Sequence, residues 1–232
     1  MTSPTPRPAP DLPATSAAGA HAAIRVGIVL FDEVEVLDAC GPFEVFGVAN
    51  RLAARAGRPA PFELALIATG RRVDAPPGAR ARGGLRLGAD HHLDDAPTCD
   101  VVLVPGGVVD DAARDRELLA WLQRSRSHAR VIASVCTGAF VLAAAGLLDH
   151  RPVTTHWEDV DDLRARWPHL HVRDDVRFVD HGDLATSAGI SAALDLALHL
   201  VARLAGHDLA VATARQMDYA WRRDPDETSA SA

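Results

Sequence analysis

Cysteine is scarce. The 232 residues hold three, Cys40, Cys99 and Cys136, too few and too scattered for a disulfide framework, and no pair has zinc-knuckle spacing. That scarcity fits a reducing, cytoplasmic setting. Net positive charge is also missing. The formal net charge of −7 speaks against a nucleic-acid partner, because phosphate binding calls for a basic face. No apolar run approaches the roughly 18 residues that a membrane span needs. The opening stretch MTSPTPRPAPDLPATSAAGAHAA has neither the basic n-region nor the apolar h-region of a signal peptide. Its Pro/Ala/Thr-rich composition predicts a disordered tail over residues 1–23. There is no internal repeat.

Apolar residues, by contrast, make up 48% of the chain, ample for one sizeable core. They fall into short runs that alternate with helical stretches. IRVGIVLF (Ile24 to Phe31), FELALIATG (Phe62 to Gly70), DVVLVPGG (Asp100 to Gly107) and VIASV (Val131 to Val135) read as buried strands. FEVFGVANRLAARAG follows Gly41-Pro42 as a helix, with Pro in its first turn and Gly57 at its end. DDAARDRELLAWLQRSRSHA is amphipathic, and Thr137 to Ala145 forms a helix capped by Gly146. PVTTHW is a short strand, EDVDDLRARW a polar helix, RFVDHGDLATSAG a hairpin, and ISAALDLALHLVARLAG a long closing helix. Alternation of this kind predicts a largely parallel sheet with helices on both faces, in one domain over residues 24–220, followed by a polar tail over 221–232.

In such sheets ligands gather beyond the carboxyl ends of the strands. Three segments end there with unusual chemistry: LDACGP with Asp38, PGG with Gly106 and Gly107, and Ser134-Val135-Cys136-Thr137-Gly138. The last has the shape of a nucleophile elbow, G-x-S-x-G, with Ser134 in place of the first glycine and sulfur as the nucleophile. A helix N-terminus beside the sulfur would lower its pKa below about 8.5. Amides of Gly106, Gly107 and Thr137 would receive developing negative charge. If Asp38 meets Cys136, the two should share a proton, with the carboxyl acting as donor and acceptor. Two plainer readings stand beside these: Asp38 as the N-cap of the following helix, and Cys136 as an inert core thiol.

Other candidates carry less. His169 and His171 in HLH share a strand face but have no third ligand, His91-His92 reads as a solvated loop, and no metal site is expected. RSRSHAR suits a helix end, Cys40 lies near Asp38 and would line the pocket or simply pack, Cys99 has no assigned role, and Glu44 is a second acid on the first helix.

Taken in order, DVVLVPGG, VCTGAFVLAAAGLLD, VTTHW and DLATSAGISAALDLALHLV resemble the ThiJ/PfpI superfamily, the class I glutamine-amidotransferase-like fold. LDACGPFEVF and the Cys136-Thr137 pair look most like the isonitrile-hydratase subgroup and the sensor domains of AraC-type regulators. The resemblance implies a flavodoxin-like three-layer sandwich, a homodimer and a catalytic pair at Asp38 and Cys136, with Thr137 as neighbour. Protease-type members carry a histidine after the cysteine, and Thr137 in its place argues against that chemistry. His156 matches a family histidine near the pocket, in a structural, interface or catalytic role. Regulator members append a helix-turn-helix domain, for which the twelve residues WRRDPDETSASA after Ala220 are too few. The implied activity is hydration of an isonitrile, a small-molecule substrate, without metal or organic cofactor. The alternatives are a redox- or ligand-sensing domain and glyoxalase- or deglycase-like chemistry.

Overall fold

The computed structural model describes residues 22–70, 76–148 and 150–223, so most of both expected tails lies outside it. A seven-stranded sheet forms the centre. It contains β1 (Ile24–Leu30), β2 (Phe62–Ala68), β5 (His91–His92), β6 (Val101–Val104), β7 (Val131–Val135), β10 (Phe178–Asp180) and β11 (Leu184–Ser187), in the order β10-β11-β7-β6-β1-β2-β5. Every pairing is parallel except β10 with β11, the expected hairpin, which the fold sets at one edge. The central strands β6 and β7 are buried at every position, which is why they read as unbroken apolar runs rather than alternating ones. Two small ribbons lie outside the sheet: β3 (Gly78–Arg80) with β4 (Arg86–Gly88), and β8 (Pro152–Val153) with β9 (His171–Val172).

Among the described residues, six α-helices accompany the sheet: α1 (Val36–Arg55), α2 (Arg116–Ser125), α3 (Gly138–Ala144), α4 (Val160–Arg166), α5 (Ala192–Ala205) and α6 (His207–Gln216). α1, α5 and α6 pack together, while α2 packs on α3. The Asp115 side chain caps α2 by accepting from the Glu117 and Leu118 amides. Phe46 of α1 meets Phe62 of β2 edge-to-face, with ring centres 4.8 Å apart, and anchors that helix to the sheet. The architecture is the largely parallel α/β sheet that the strand–helix alternation implied, in the flavodoxin-like form that the resemblance implied.

Three expectations are corrected. α1 begins at Val36, ahead of Gly41-Pro42, so Pro42 lies inside the helix and leaves the Asp38 carbonyl without its i+4 donor. His91 and His92 form an edge strand on β2 instead of a loop; two residues are too short a run for periodicity to reveal. The helix expected to close the fold does end at Gly206, but it is not the last: Gly206, with φ of 106°, is followed by a further helix, α6. Beyond Ala220, Trp221 packs against the core and the Arg222 amide donates to Asp195 Oδ1 at 3.0 Å.

Candidate active site

From β1 the chain crosses to β2 on one side, then returns to β6 on the other. The strand order therefore reverses between β1 and β6, where such folds place ligands. Here the two post-strand loops are stitched together. Glu35 N–H donates to Gly106 O at 2.8 Å and Val108 N–H to Glu33 O at 3.0 Å, around a bridge between Val34 and Gly107. The stitch brings α1's first turn, with Asp38, against the end of β6. β7 delivers Cys136 beside it.

Cys136 has φ = +54°, a left-handed conformation in a residue with a side chain. Such strain persists only where the surroundings over-determine it. They do so here: the Cys136 amide donates to Ser187 O at 3.1 Å, and its carbonyl accepts the Thr155 hydroxyl at 2.9 Å. This is the elbow geometry that the Ser134–Gly138 pattern predicted. The sulfur-bearing residue keeps 7% of its surface exposed, so it is buried but not sealed.

Asp38 is fully buried. It sits inside α1, whose N-cap is Glu35, so the capping alternative is set aside. Its Oδ2 accepts the Gly106 amide at 3.1 Å, while Oδ1 is buried without a hydrogen bond of normal geometry. The Cys136 thiol nevertheless lies close enough to help hold the carboxylate charge. Burial pushes Asp38 up to about 7, against the pull of the Gly106 amide and with a further push from the charge of Glu35.

The expected low-pKa thiolate is overturned. Burial, and then the charge of Asp38, push the Cys136 thiol up to about 12, although the Thr137 and Ile190 amides and the Thr137 hydroxyl pull the other way. Only the N-cap amide of the seven-residue α3, that of Thr137, reaches the sulfur from that helix, and desolvation outweighs it. At neutral pH the thiol keeps its proton while the carboxyl beside it sits near its midpoint, so the two do not share a single proton as expected.

The glycine amides are also not free. Gly106 N–H is committed to Asp38, and Gly107 N–H donates to Thr137 Oγ1 at 2.9 Å, whose hydroxyl in turn donates to Gly107 O at 2.9 Å. These two residues fix the acid and the elbow against each other rather than presenting an empty anion hole. The amide that sequence reasoning missed is that of Ile190, between β11 and α5. It acts through its backbone, so no side-chain pattern could have revealed it.

His156 follows Thr155 and is mostly buried. Its Nδ1 accepts the Glu158 amide at 3.3 Å and lies 3.4 Å from Asp159 Oδ2, so that nitrogen is used locally. Cys40 is half-buried on α1, with its thiol pushed up by burial. Cys99 donates to Pro97 O, and Glu44 pairs with Arg51 at the surface. Two surface clefts, of about 640 and 500 Å3, lie away from the pair, one beside Arg164 and His171 and one beside Trp121 and His128. Their size does not outweigh chemistry gathered at the switch point. No cluster of three or more potential metal ligands occurs among the described residues, and no described helix is long and apolar enough to cross a membrane.

A parallel α/β sandwich with a cysteine on a strained elbow beside a buried acid defines the class of protein. The chain belongs to the DJ-1/PfpI family, whose sequence pattern matches residues 24–203. It is 35% identical over 199 residues to isonitrile hydratase of Pseudomonas putida, covering 85% of this chain and 79% of that protein. It is 31% identical over 194 residues to the HTH-type transcriptional regulator GbdR of Pseudomonas aeruginosa, covering 84% of this chain and 50% of the regulator. The chain thus spans about half the length of that regulator. Among solved structures, a ThiJ/PfpI family protein from Pseudomonas syringae superposes with TM-score 0.71 at 25% identity, over 87% of this chain and 77% of that one. Drosophila melanogaster DJ-1beta shares the fold, with TM-score 0.72 at 19% identity over 86% of this chain and all of that one.

Proposed function

We propose that this protein is a cysteine-dependent hydratase of isonitriles. The observation that carries the reading is the buried Asp38 carboxyl, with one oxygen unpartnered, beside a thiol on a strained elbow. The similarity to isonitrile hydratase supplies the substrate class. A carboxyl with pKa near 7 is matched to proton transfer at neutral pH.

In the reaction, Asp38 carboxylate takes the thiol proton as Cys136 sulfur bonds to the terminal isonitrile carbon. The proton then passes to that carbon, leaving a thioimidate, R–N=CH–S–Cys. Asp38 next takes a proton from water as the water oxygen attacks the same carbon, and the nitrogen is protonated. The C–S bond breaks, the sulfur recovers a proton, and R–NH–CHO leaves. Water is the sole co-reactant, and no step draws on a metal or organic cofactor. Thr137 and Ile190 amides steady the sulfur while it is anionic. The reading carries with it a small-molecule substrate, a cytoplasmic setting and a homodimer.

A sensing role is the second reading, favoured by the similarity to regulators. The deciding assay incubates the protein, Cys136→Ala and Asp38→Asn with alkyl and aryl isonitriles and follows formamide by mass spectrometry. Turnover that needs both residues is expected. Absence of turnover on every isonitrile tried would sink the hydratase reading and leave the sensor.

A further inference from the structure

A second buried charge pair sits behind the site and has no part in the chemistry above. Arg177, just ahead of β10, donates from Nε to Asp195 Oδ2 at 2.7 Å, and its Nη2 lies 2.6 Å from the same oxygen. Asp195 is fully buried in the first turn of α5, and Arg177 is 9% exposed. Buried ion pairs are often no more stabilising than an apolar replacement, so the pair calls for a reason besides stability.

The loop between β11 and α5 provides one. The Ala188 amide donates to Arg177 O at 2.8 Å, and Arg177 Nη2 donates to Ser191 Oγ at 3.4 Å. The Tyr219 hydroxyl donates to Ser191 O at 3.4 Å, and the Arg222 amide to Asp195 Oδ1 at 3.0 Å. Gly189 is pressed against the His156 ring so closely that a Cβ would come within 1.9 Å of Cδ2. Between these fixed points Ile190 has φ = +40°, a conformation that a β-branched residue keeps only under constraint. Its amide lies close enough to the Cys136 sulfur to help hold a thiolate charge. The strained residue is therefore the one whose backbone touches the nucleophile.

We propose that Arg177 is a positioning residue: paired with Asp195, it holds the 188–191 loop in the strained shape that keeps the Ile190 amide on the Cys136 sulfur. Residues 219–222 anchor the same loop from the C-terminal side. Arg177 touches no reacting atom. The inference rests on the reading of Cys136 as the reactive thiol, but not on isonitrile being its substrate. If the amide moves away, the anionic sulfur loses a charge-assisted hydrogen bond.

The test is the pH dependence of Cys136 alkylation by iodoacetamide, located by peptide mass spectrometry, in the full chain and three variants. Arg177→Gln and Tyr219→Phe loosen the loop. Arg203→Gln, on the same helix as Asp195, breaks the surface-side pair with Asp180 of β10 at 2.5 Å and serves as control. At pH 8, alkylation should fall about tenfold in Arg177→Gln, the loss of one hydrogen bond to a charged group. The midpoint of the pH profile should rise, with a smaller effect of the same sign in Tyr219→Phe and none in Arg203→Gln. An unchanged profile in folded Arg177→Gln overturns the proposal, as does equal slowing in Arg203→Gln. Should Arg177→Gln not fold, an unchanged Tyr219→Phe overturns it. Alkylation behaving as expected without isonitrile turnover would remove the hydratase reading alone, whereas a Cys136 that never alkylates in the unaltered protein removes both.

Discussion

The Gly106 amide donates to Asp38 Oδ2 at 3.1 Å, joining the acid after β1 to the loop after β6 across the point where strand order reverses. The loop approaches so closely that a Cβ on Gly106 would lie 2.7 Å from the Thr137 amide nitrogen and 2.8 Å from Cys136 Cβ. Gly106→Ala must push the acid and the elbow apart. We expect a loss of about 2–3 kcal/mol in stability, as for other overpacked positions, and a drop in turnover larger than the fraction unfolded explains. Urea unfolding alongside formamide assays of the folded fraction separates the two.

Asp38 sets the pH dependence. Because its carboxylate must receive the thiol proton, kcat/KM should rise with pH and level off above about 7, where the carboxyl is ionised. A rate still climbing with unit slope to pH 9 would assign the controlling titration to the thiol instead.

The same group makes stability depend on pH with the opposite sense. Its folded pKa of about 7 exceeds the ordinary 3.8, so the folded state binds the proton more tightly. Stability from this group is full below about pH 4 and is lost as pH rises through 7. Asp38→Asn keeps an acceptor for the Gly106 amide but removes the buried charge. It should abolish turnover while stabilising the protein by roughly 1–3 kcal/mol at pH 8, with the gain vanishing near pH 4. Melting temperatures across that range check it.

The strain at Cys136 is separable from its chemistry. With φ at +54°, glycine fits the position and alanine does not, so Cys136→Gly should be more stable than Cys136→Ala by about 1 kcal/mol. Both should be inactive. Equal unfolding midpoints in urea would mean that the elbow relaxes once the sulfur is gone.

Thr137 trades two hydrogen bonds with Gly107, donating to its carbonyl and accepting from its amide. Thr137→Val preserves shape but leaves both groups unpaired, at a cost of about 1–3 kcal/mol. Thr137→Ser should recover most of it, and thermal unfolding of the two variants gives the comparison.

The sheet was legible because β1, β2, β6 and β7 are apolar runs punctuated by glycine and proline, and burial on both faces leaves a one-dimensional trace. The elbow was legible for the same reason: a buried strand followed at once by a small-residue helix forces a tight turn at Cys136. The helix start was less so. Pro42 marks a first turn in most sequences, yet here α1 begins a turn and a half earlier, and only that shift puts Asp38 inside the helix instead of at its cap.

Local sequence, then, determined which residues form strands, where the chain must bend, and that an acid and a thiol each follow the carboxyl end of a buried strand. Tertiary structure decided their protonation and their partners. Desolvation is a property of everything packed around a group, so the push of Asp38 to about 7 and of Cys136 to about 12 had no local signature. The same holds for an amide such as that of Ile190, which every residue but proline carries and only the fold can aim.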